Sequence, residues 1–464
     1  MSTSARPVST TVPPLGRPKR YFCDHAWLGG ASAEANVLIS TAGERVAAVD
    51  ANADRPLDAV HLRGLTVPGF ANAHSHAFHR ALRGRTQAGR GTFWTWREEM
   101  YRTAETLTPE SYYRLARATY AEMALAGFTA VGEFHYVHHH PGGAPYADAN
   151  AMGRALVAAA GDAGLRITLI DACYLESGPG RPPVGVQVRF ADESAQTWAE
   201  RVEELAGLEP GAGARLGAAV HSVRAVPPQG AELVARFSRA HGLPLHFHLS
   251  EQVGENEAAQ AAYGLSPTEL LGRAGALTPA STAVHATHLS GHDEVLLASS
   301  GAGICMCPTT EQDLGDGIGP ARRLAVAGLP VCLGSDSHAV IDPFLEMRSL
   351  EYDERLASGA RGHWAAHELL AAATASSHLA IGWPEAGRIS VGALADLVTV
   401  NLGSPRLAGA ADDRLLELAT FSAGAADVTH VVSSGKVVVA EGHHVVVEDV
   451  AAELRSSIAA VVPP

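Results

Sequence analysis

His74-Ser75-His76 closes the apolar run Leu65-Thr66-Val67-Pro68-Gly69-Phe70. Side chains of an extended strand repeat every second residue, so both imidazoles face one way and can bind a single metal ion. Alone, the pair is equally compatible with a structural role. Three further polar clusters change the balance, because each closes its own short apolar run. They are His246-Phe247-His248-Leu249-Ser250-Glu251, Val284-His285-Ala286-Thr287-His288 and Gly334-Ser335-Asp336-Ser337-His338. Four such strand-end clusters describe a catalytic metal centre.

A hydrolytic zinc site needs about three or four protein ligands and an open position for water. His74 and His76 supply two. Of the next histidines, His248 is the expected ligand, since it lies nearer the carboxyl end of its run and just ahead of Glu251. His246 is then a deeper, hydrogen-bonded barrel histidine. Asp336 is the fourth ligand candidate, and its carboxylate could also take a proton from the bound water. Zinc can lower the pKa of bound water to about 7, which makes hydroxide available for attack on an electrophilic carbon. Expulsion of a poor nitrogen leaving group requires its protonation by a carboxyl group, for which Glu251 is the candidate. His285 could orient the water or stabilise developing charge. One divalent ion is expected; zinc follows from the ligand types, which iron and manganese also accept.

Elements must bring these clusters together. From residue 65 onward, short β-type runs alternate with alanine- and leucine-rich helical stretches, the signature of βα units. Eight runs are expected as strands: 65–76, 128–136, 166–174, 215–222, 244–251, 282–289, 302–308 and 331–337. Between them lie helical candidates at 109–126, 149–163, 194–206, 229–241, 266–274 and 321–327. Eight parallel strands with intervening helices close into a (β/α)8 TIM-type barrel, whose active site lies at the carboxyl ends of the strands. Every polar cluster falls there. The flanks read as short strands with turns, at 37–40, 45–49 and 59–62 before the barrel and at 397–400, 428–433 and 436–439 after it. The expected organisation is an N-terminal tail (1–20), a small β domain built from both chain ends (21–64 and 388–450), the barrel (65–387) and a C-terminal tail (451–464).

With 464 residues, 47% hydrophobic and 18% charged, the chain has enough apolar residues for a globular core. Its net charge of -14 argues against a nucleic-acid partner, which needs clustered lysine and arginine, so any anionic ligand must meet local arginines. Five cysteines, an odd number, do not form a disulfide framework, and a reducing cytoplasm is the expected home. Cys305-Met306-Cys307 lies in an apolar run and reads as core rather than as a thiolate metal pair. No signal-peptide apolar segment and no membrane span are expected. His138-His139-His140 reads as a solvated βα loop, and Trp94 and Trp96 as loop packing around Arg97.

These residues, in this order, resemble the amidohydrolase superfamily of metal-bearing (β/α)8 barrels, many with a composite β domain. No lysine closes the fourth run, which ends in Val220-His221-Ser222, so the two-metal members bridged by a carboxylated lysine fit poorly. The resemblance implies a mononuclear, deaminase-type site of His74, His76, His248 and Asp336, with Glu251 as proton shuttle and His285 as catalytic histidine. Three longer strings, Asn72-Ala73-His74-Ser75-His76-Ala77-Phe78-His79-Arg80-Ala81, Phe93-Trp94-Thr95-Trp96-Arg97-Glu98-Glu99-Met100-Tyr101 and Glu133-Phe134-His135-Tyr136-Val137-His138, are similar to the formimidoylglutamate deiminase family. That family hydrolyses N-formimino-L-glutamate to N-formyl-L-glutamate and ammonia in histidine degradation, and is expected to be homodimeric. The substrate has two carboxylates. Arg97 and Arg224 can each make bidentate hydrogen bonds to one, and either arginine can take either carboxylate. By resemblance Tyr136 and His221 complete the substrate pocket. His79 departs from the family pattern, where a glutamine is frequent; an imidazole there can carry charge or compete for metal. The alternatives are an aminohydrolase of guanine, cytosine or triazine rings, which would have little use for both arginines, and a noncatalytic metal-binding barrel scaffold.

Overall fold

The computed structural model describes residues 19–205, 213–409 and 411–462. Two sheets organise it. The smaller begins with β1 (Lys19–Ala26), β2 (Glu34–Ala42), β3 (Arg45–Asp50) and β4 (Val60–Pro68). The chain then enters the barrel through β5 (Phe70–Ser75), β6 (Phe128–His135), β7 (Arg166–Cys173), β8 (Ala214–Val220), β9 (Leu245–Leu249), β10 (Ser281–His285), β11 (Gly303–Met306) and β12 (Val331–Leu333). It returns to the small sheet as β13 (Leu397–Val400), β14 (Val428–Ser433), β15 (Lys436–Ala440) and β16 (His443–His444).

In the barrel each strand pairs with its successor in sequence, all in parallel. The ring is drawn together at one end, where Ser75 and Asp336 form a bridge and the Asp336 amide donates to the His74 carbonyl (3.0 Å). Every residue of β6 and of β7 is buried, as a parallel strand covered by helices on one side and barrel interior on the other requires. The helices start where the sequence supplies caps: Ser266 accepts from the Glu269 amide ahead of Pro267–Arg273, and Thr108 does the same for Ser111 ahead of Pro109–Leu125.

The run expected as one barrel strand, 65–76, is shared between the two sheets. β4 pairs with β1 and β13, and only the part beyond Gly69 belongs to the barrel. Pro68 lacks an amide hydrogen, and Gly69 lets the chain cross: a Cβ there would sit 2.3 Å from Thr129 Oγ1 and 2.9 Å from Asp396 Cβ. Residues 1–18 of the expected N-terminal tail lie outside the described residues, whereas Lys19 and Arg20 open β1. The expected C-terminal tail is corrected more fully. Val450–Val461 is a helix capped by Asp449, with Leu454 and Val461 buried and Glu453 paired with Arg117 (2.6 Å). Its apolar residues recur at helical spacing, which is why it packs. Among the described residues no helix is long and apolar enough to cross a membrane.

Asp396 joins the two sheets. Its carboxylate binds the Arg166 guanidinium at the start of β7 and the Ser434 amide after β14 (2.8 Å), and its carbonyl accepts from Gly69 (3.0 Å). Both members of the ion pair are buried. Removing one partner strands the other charge in a low-dielectric interior, so Asp396→Ala is expected to cost about 3–5 kcal/mol. A clearly lower denaturant midpoint than that of the unaltered chain is the outcome to look for.

Candidate active site

β5 ends with His74 and delivers His76 one residue beyond it, as the two-residue repeat requires. His76 Nδ1 donates to the Phe134 carbonyl (2.8 Å) on β6, and His248 Nδ1, from β9, donates to the His221 carbonyl (2.8 Å). A carbonyl can only accept, so these contacts leave the Nε2 lone pairs of His76 and His248 free. His248 Nε2 stands 3.2 Å from His74 Nε2. Asp336 Oδ1, beyond β12, lies 3.6 Å from His74 Nε2 and 3.4 Å from His76 Nε2. All four side chains are buried.

Burial, reinforced by neighbouring imidazoles, holds His74, His76 and His248 well below the ordinary histidine range. Burial also pushes Asp336 up to about 7, against the pull of His285. Neutral imidazoles and a carboxylate converging with few hydrogens to share form a donor set for a divalent cation. Donors bound to tetrahedral zinc at about 2.0–2.1 Å stand roughly 3.3 Å from one another, close to the separations found here. The residues therefore fit one such ion. His79 is near enough to His76 and Asp336 to join a ligand group, but its Nε2 is engaged by Tyr136 Oη (3.0 Å). His246, one strand repeat below His248, is held by a hydrogen bond to the Ala380 carbonyl (2.9 Å).

His285, at the end of β10, has Nε2 3.8 Å from both Glu251 Oε1 and Asp336 Oδ2, and Nδ1 3.3 Å from Glu311 Oε1. Burial opposes its charging, yet Glu251, Glu311 and Asp336 outweigh that and push it up to about 10. Glu311 and Asp316 were not legible as site residues. Glu311 sits in the helix Pro308–Leu314, and burial beside Glu251 pushes the Asp316 carboxyl up to about 9. The backbone here is bent to aim side chains: Ser250, His285, Ala286, Asp336 and His338 all have positive φ.

One cleft is lined by His76, His248, Glu251, His285 and Asp336 together with every substrate residue expected from the sequence, namely His79, Arg97, Tyr136, His221 and Arg224. His74 lies wholly buried against His248. Arg97 was expected in a loop; it lies on the helix Phe93–Thr106, started where Thr95 Oγ1 accepts from the Thr92 amide (2.8 Å). Trp94 is exposed there, and Trp96 packs against the His79 ring. Arg97 Nε donates to Tyr101 Oη (2.7 Å), one turn on. Among the described residues neither Arg97 nor Arg224 forms an ion pair with a carboxylate. For Arg224, burial opposes the charge, but Glu255, Tyr174 and Glu251 raise it further.

The expectation of a solvated loop at His138-His139-His140 is overturned for the first two. His138 Nε2 donates to the Ala172 carbonyl (3.0 Å), His139 Nε2 lies 3.3 Å from Asp192 Oδ1, and both rings are buried. Aspartates from β7 and a following loop supply partners that the local sequence did not show. His135, His138 and Asp171 approach metal-ligand spacing, but the Arg201 guanidinium takes both Asp171 oxygens (2.9 Å each). That cation makes the group scaffold. All five cysteines are free and buried, Cys305 and Cys307 among them, in agreement with a core role.

An amidohydrolase family model matches residues 65–438. The chain belongs to the amidohydrolase family. Within that family it is similar to formimidoylglutamate deiminase of Pseudomonas aeruginosa, 37% identical over 85% of this chain and 88% of the relative. It is also similar to 5-methylthioadenosine/S-adenosylhomocysteine deaminase of Natronomonas pharaonis, 30% identical over 86% and 87% of the two chains. The crystal structure of an amidohydrolase from Brucella melitensis shares the fold, with a TM-score of 0.88 at 33% identity, covering 96% of this chain and all of that one. These relatives make the present amidohydrolase a hydrolase acting on C–N bonds.

Gly334 lets β12 approach His74. A Cβ there would lie 2.8 Å from His74 Cβ and 2.9 Å from His74 O. Gly334→Ala must therefore displace the His74 backbone, and a fall in bound divalent metal per chain, measured by elemental analysis after dialysis, is expected relative to the unaltered chain.

Proposed function

We propose that this enzyme hydrolyses N-formimino-L-glutamate to N-formyl-L-glutamate and ammonia, with one zinc ion held by His74, His76, His248 and Asp336. The observation that carries this reading is the pair of arginines, Arg97 and Arg224, which share one cleft with the imidazole cluster and have no carboxylate partner in the described structure. Two guanidinium groups without an ion-paired carboxylate suit a small molecule with two carboxylates. The 37% identical relative named as formimidoylglutamate deiminase supports the same substrate. Histidine degradation, a cytoplasmic home and a homodimeric state belong to this proposal as well.

When bound, the ion supplies Lewis acidity that makes water a competent nucleophile near neutral pH. Glu251 takes up the proton that the attacking water releases and passes it to the imino nitrogen; the remaining hydroxyl proton follows to the same nitrogen, which leaves as ammonia while the formyl C=O forms and the glutamate nitrogen stays bound. Its carboxylate lies beside His285, close enough to move that proton within the cleft. His285, kept cationic by surrounding carboxylates, orients the water and stabilises negative charge as the tetrahedral carbon forms. Tyr136 Oη, fixed by His79, and the His221 ring beside it bound the pocket around the formimino group. His79 thus takes a hydrogen-bonding role in which a neutral ring suffices, and burial keeps it neutral.

A ring-deaminating reading draws on the 30% identical deaminase relative and on the aromatic walls of the cleft. It leaves both arginines without an anionic partner.

Ammonia release from N-formimino-L-glutamate by the zinc-loaded chain tests the proposal, with guanine and N-formimino-L-aspartate assayed beside it. Arg224→Ala is expected to lower kcat/KM by about 10- to 100-fold, the worth of a charge-assisted hydrogen bond; an unchanged specificity constant would favour a ring substrate. Glu251→Gln is expected to lose about 10²- to 10⁴-fold in kcat. Binding without turnover in the unaltered protein would favour the scaffold alternative.

A further inference from the structure

Arg97 is held without being neutralised. Gln187, buried in the short turn Gly185–Arg189, reaches the base of the arginine helix. Arg97 can only donate, so the hydrogen-bond network assigns the amide oxygen to that side. So oriented, the oxygen meets Arg97 Nη2 (3.3 Å), Tyr101 Oη (3.2 Å) and Tyr174 Oη (2.8 Å), while the amide nitrogen donates to the Val184 carbonyl (3.2 Å). Tyr101 Oη already accepts from Arg97 Nε (2.7 Å), which leaves its own hydrogen for Gln187. Arginine, tyrosine and amide thus form a closed ring of contacts containing one positive charge and no negative one.

The turn that carries Gln187 is itself fixed. Arg189, fully buried, donates from Nε to the His139 carbonyl (2.9 Å) and from Nη2 to the Leu107 carbonyl (2.8 Å), and Nη1 donates to Ala104. Ala104 and Leu107 terminate the helix that bears Arg97, and His139 follows Tyr136 in the β6 loop. The Arg189 carbonyl in turn accepts from the His138 and His139 amides (3.0 and 2.9 Å). Phe190 packs its ring against Tyr136 and Tyr101. The turn is therefore tied to both walls of the cleft.

We propose that Gln187 is a positioning residue that sets specificity for an anionic substrate: its neutral carbonyl aims Arg97 into the cleft while leaving the guanidinium charge uncompensated. A glutamate has the same reach and an acceptor oxygen for Arg97, Tyr101 and Tyr174, and loses only the donation to the Val184 carbonyl. It would hold Arg97 equally well and cancel the charge that a substrate carboxylate must find. This inference rests on the reading of Arg97 as a partner of a substrate carboxylate.

The test compares Gln187→Glu with Gln187→Met in the metal-loaded full-length enzyme, with KM and kcat for N-formimino-L-glutamate measured at neutral pH. Gln187→Met loosens Arg97 but keeps its charge, and a rise of about threefold to tenfold in KM is expected. Gln187→Glu is expected to raise KM by at least about tenfold more, with kcat changing far less in both, the signature of lost uniform binding. A merely structural role for the contacts with Arg97 gives the opposite order, since glutamate keeps the acceptor for Arg97, Tyr101 and Tyr174 that methionine loses, and both variants lose the donation to Val184; KM for Gln187→Glu equal to or below that for Gln187→Met overturns the inference. A cycle with Arg97→Met gives a second measure, needed if the glutamate variant does not fold. Gln187→Met should add little to KM in the Arg97→Met background, and full additivity overturns the inference. An unaltered enzyme inert towards N-formimino-L-glutamate overturns the substrate reading, and this inference with it. An active one that gives the wrong order or additivity overturns only the role of Gln187.

Discussion

A barrel that closes is what gives this protein a site. His74 and Asp336 come from opposite ends of the catalytic sequence, and the hydrogen bond from the Asp336 amide to the His74 carbonyl is both the seam of the strand ring and the contact that sets carboxylate beside imidazole. His248 reaches the same point from β9, its ring oriented by the His221 carbonyl from the end of β8. Neighbouring strands thus supply second contacts that fix the tautomers of His76 and His248. The left-handed backbone at His285, Ala286 and Asp336 is costly for side-chain-bearing residues, of order 1–3 kcal/mol each. Fully buried strands such as β6 and β7 provide a framework rigid enough to hold it.

Charge is divided within the cleft. Carboxylates collect around His285 on one side, where they keep an imidazole protonated, while Arg97 on the other is held by phenol and amide. The chain as a whole is acidic, with a net charge of -14, so attraction of an anion must come from this local field. An isolated cation in a partly buried site exerts more force than the same cation in water, because the surroundings screen it less. The same economy of partners appears in reverse at Asp171 and Asp192. There Arg201 saturates two carboxylates and leaves His138 and His139 as scaffold.

The barrel was legible because periodicity reports burial, and buried strand ends carry few polar residues by accident. His74, His76, His248, Glu251, His285 and Asp336 each close an apolar run, and that position is a sequence property. Contacts between distant segments are not. Gln187 and Arg189 sit in a turn without periodicity, and their roles arise from carbonyls and phenols that are neighbours only after folding. Glu311 reads locally as an ordinary first-turn helical acid, and only the packing of β10 against β11 sets it beside His285. The helix Phe93–Thr106 is rich in aromatic and polar residues of modest helix propensity, so its packing over the cleft could not be read from local preference. The division of the run 65–76 between sheets was hidden for a related reason: its residues are buried on both sides of the join, and the crossing at Gly69 is decided by what a side chain there would strike.

The central claim is that three imidazoles and one carboxylate hold a single divalent ion in the cleft that the arginines face. Anomalous scattering at the zinc edge from crystals of the zinc-loaded protein measures this directly. The account predicts one strong peak per chain, in bonding contact with His74, His76, His248 and Asp336 together. A peak at His135 and His138 instead, or none within reach of those four side chains, would contradict it.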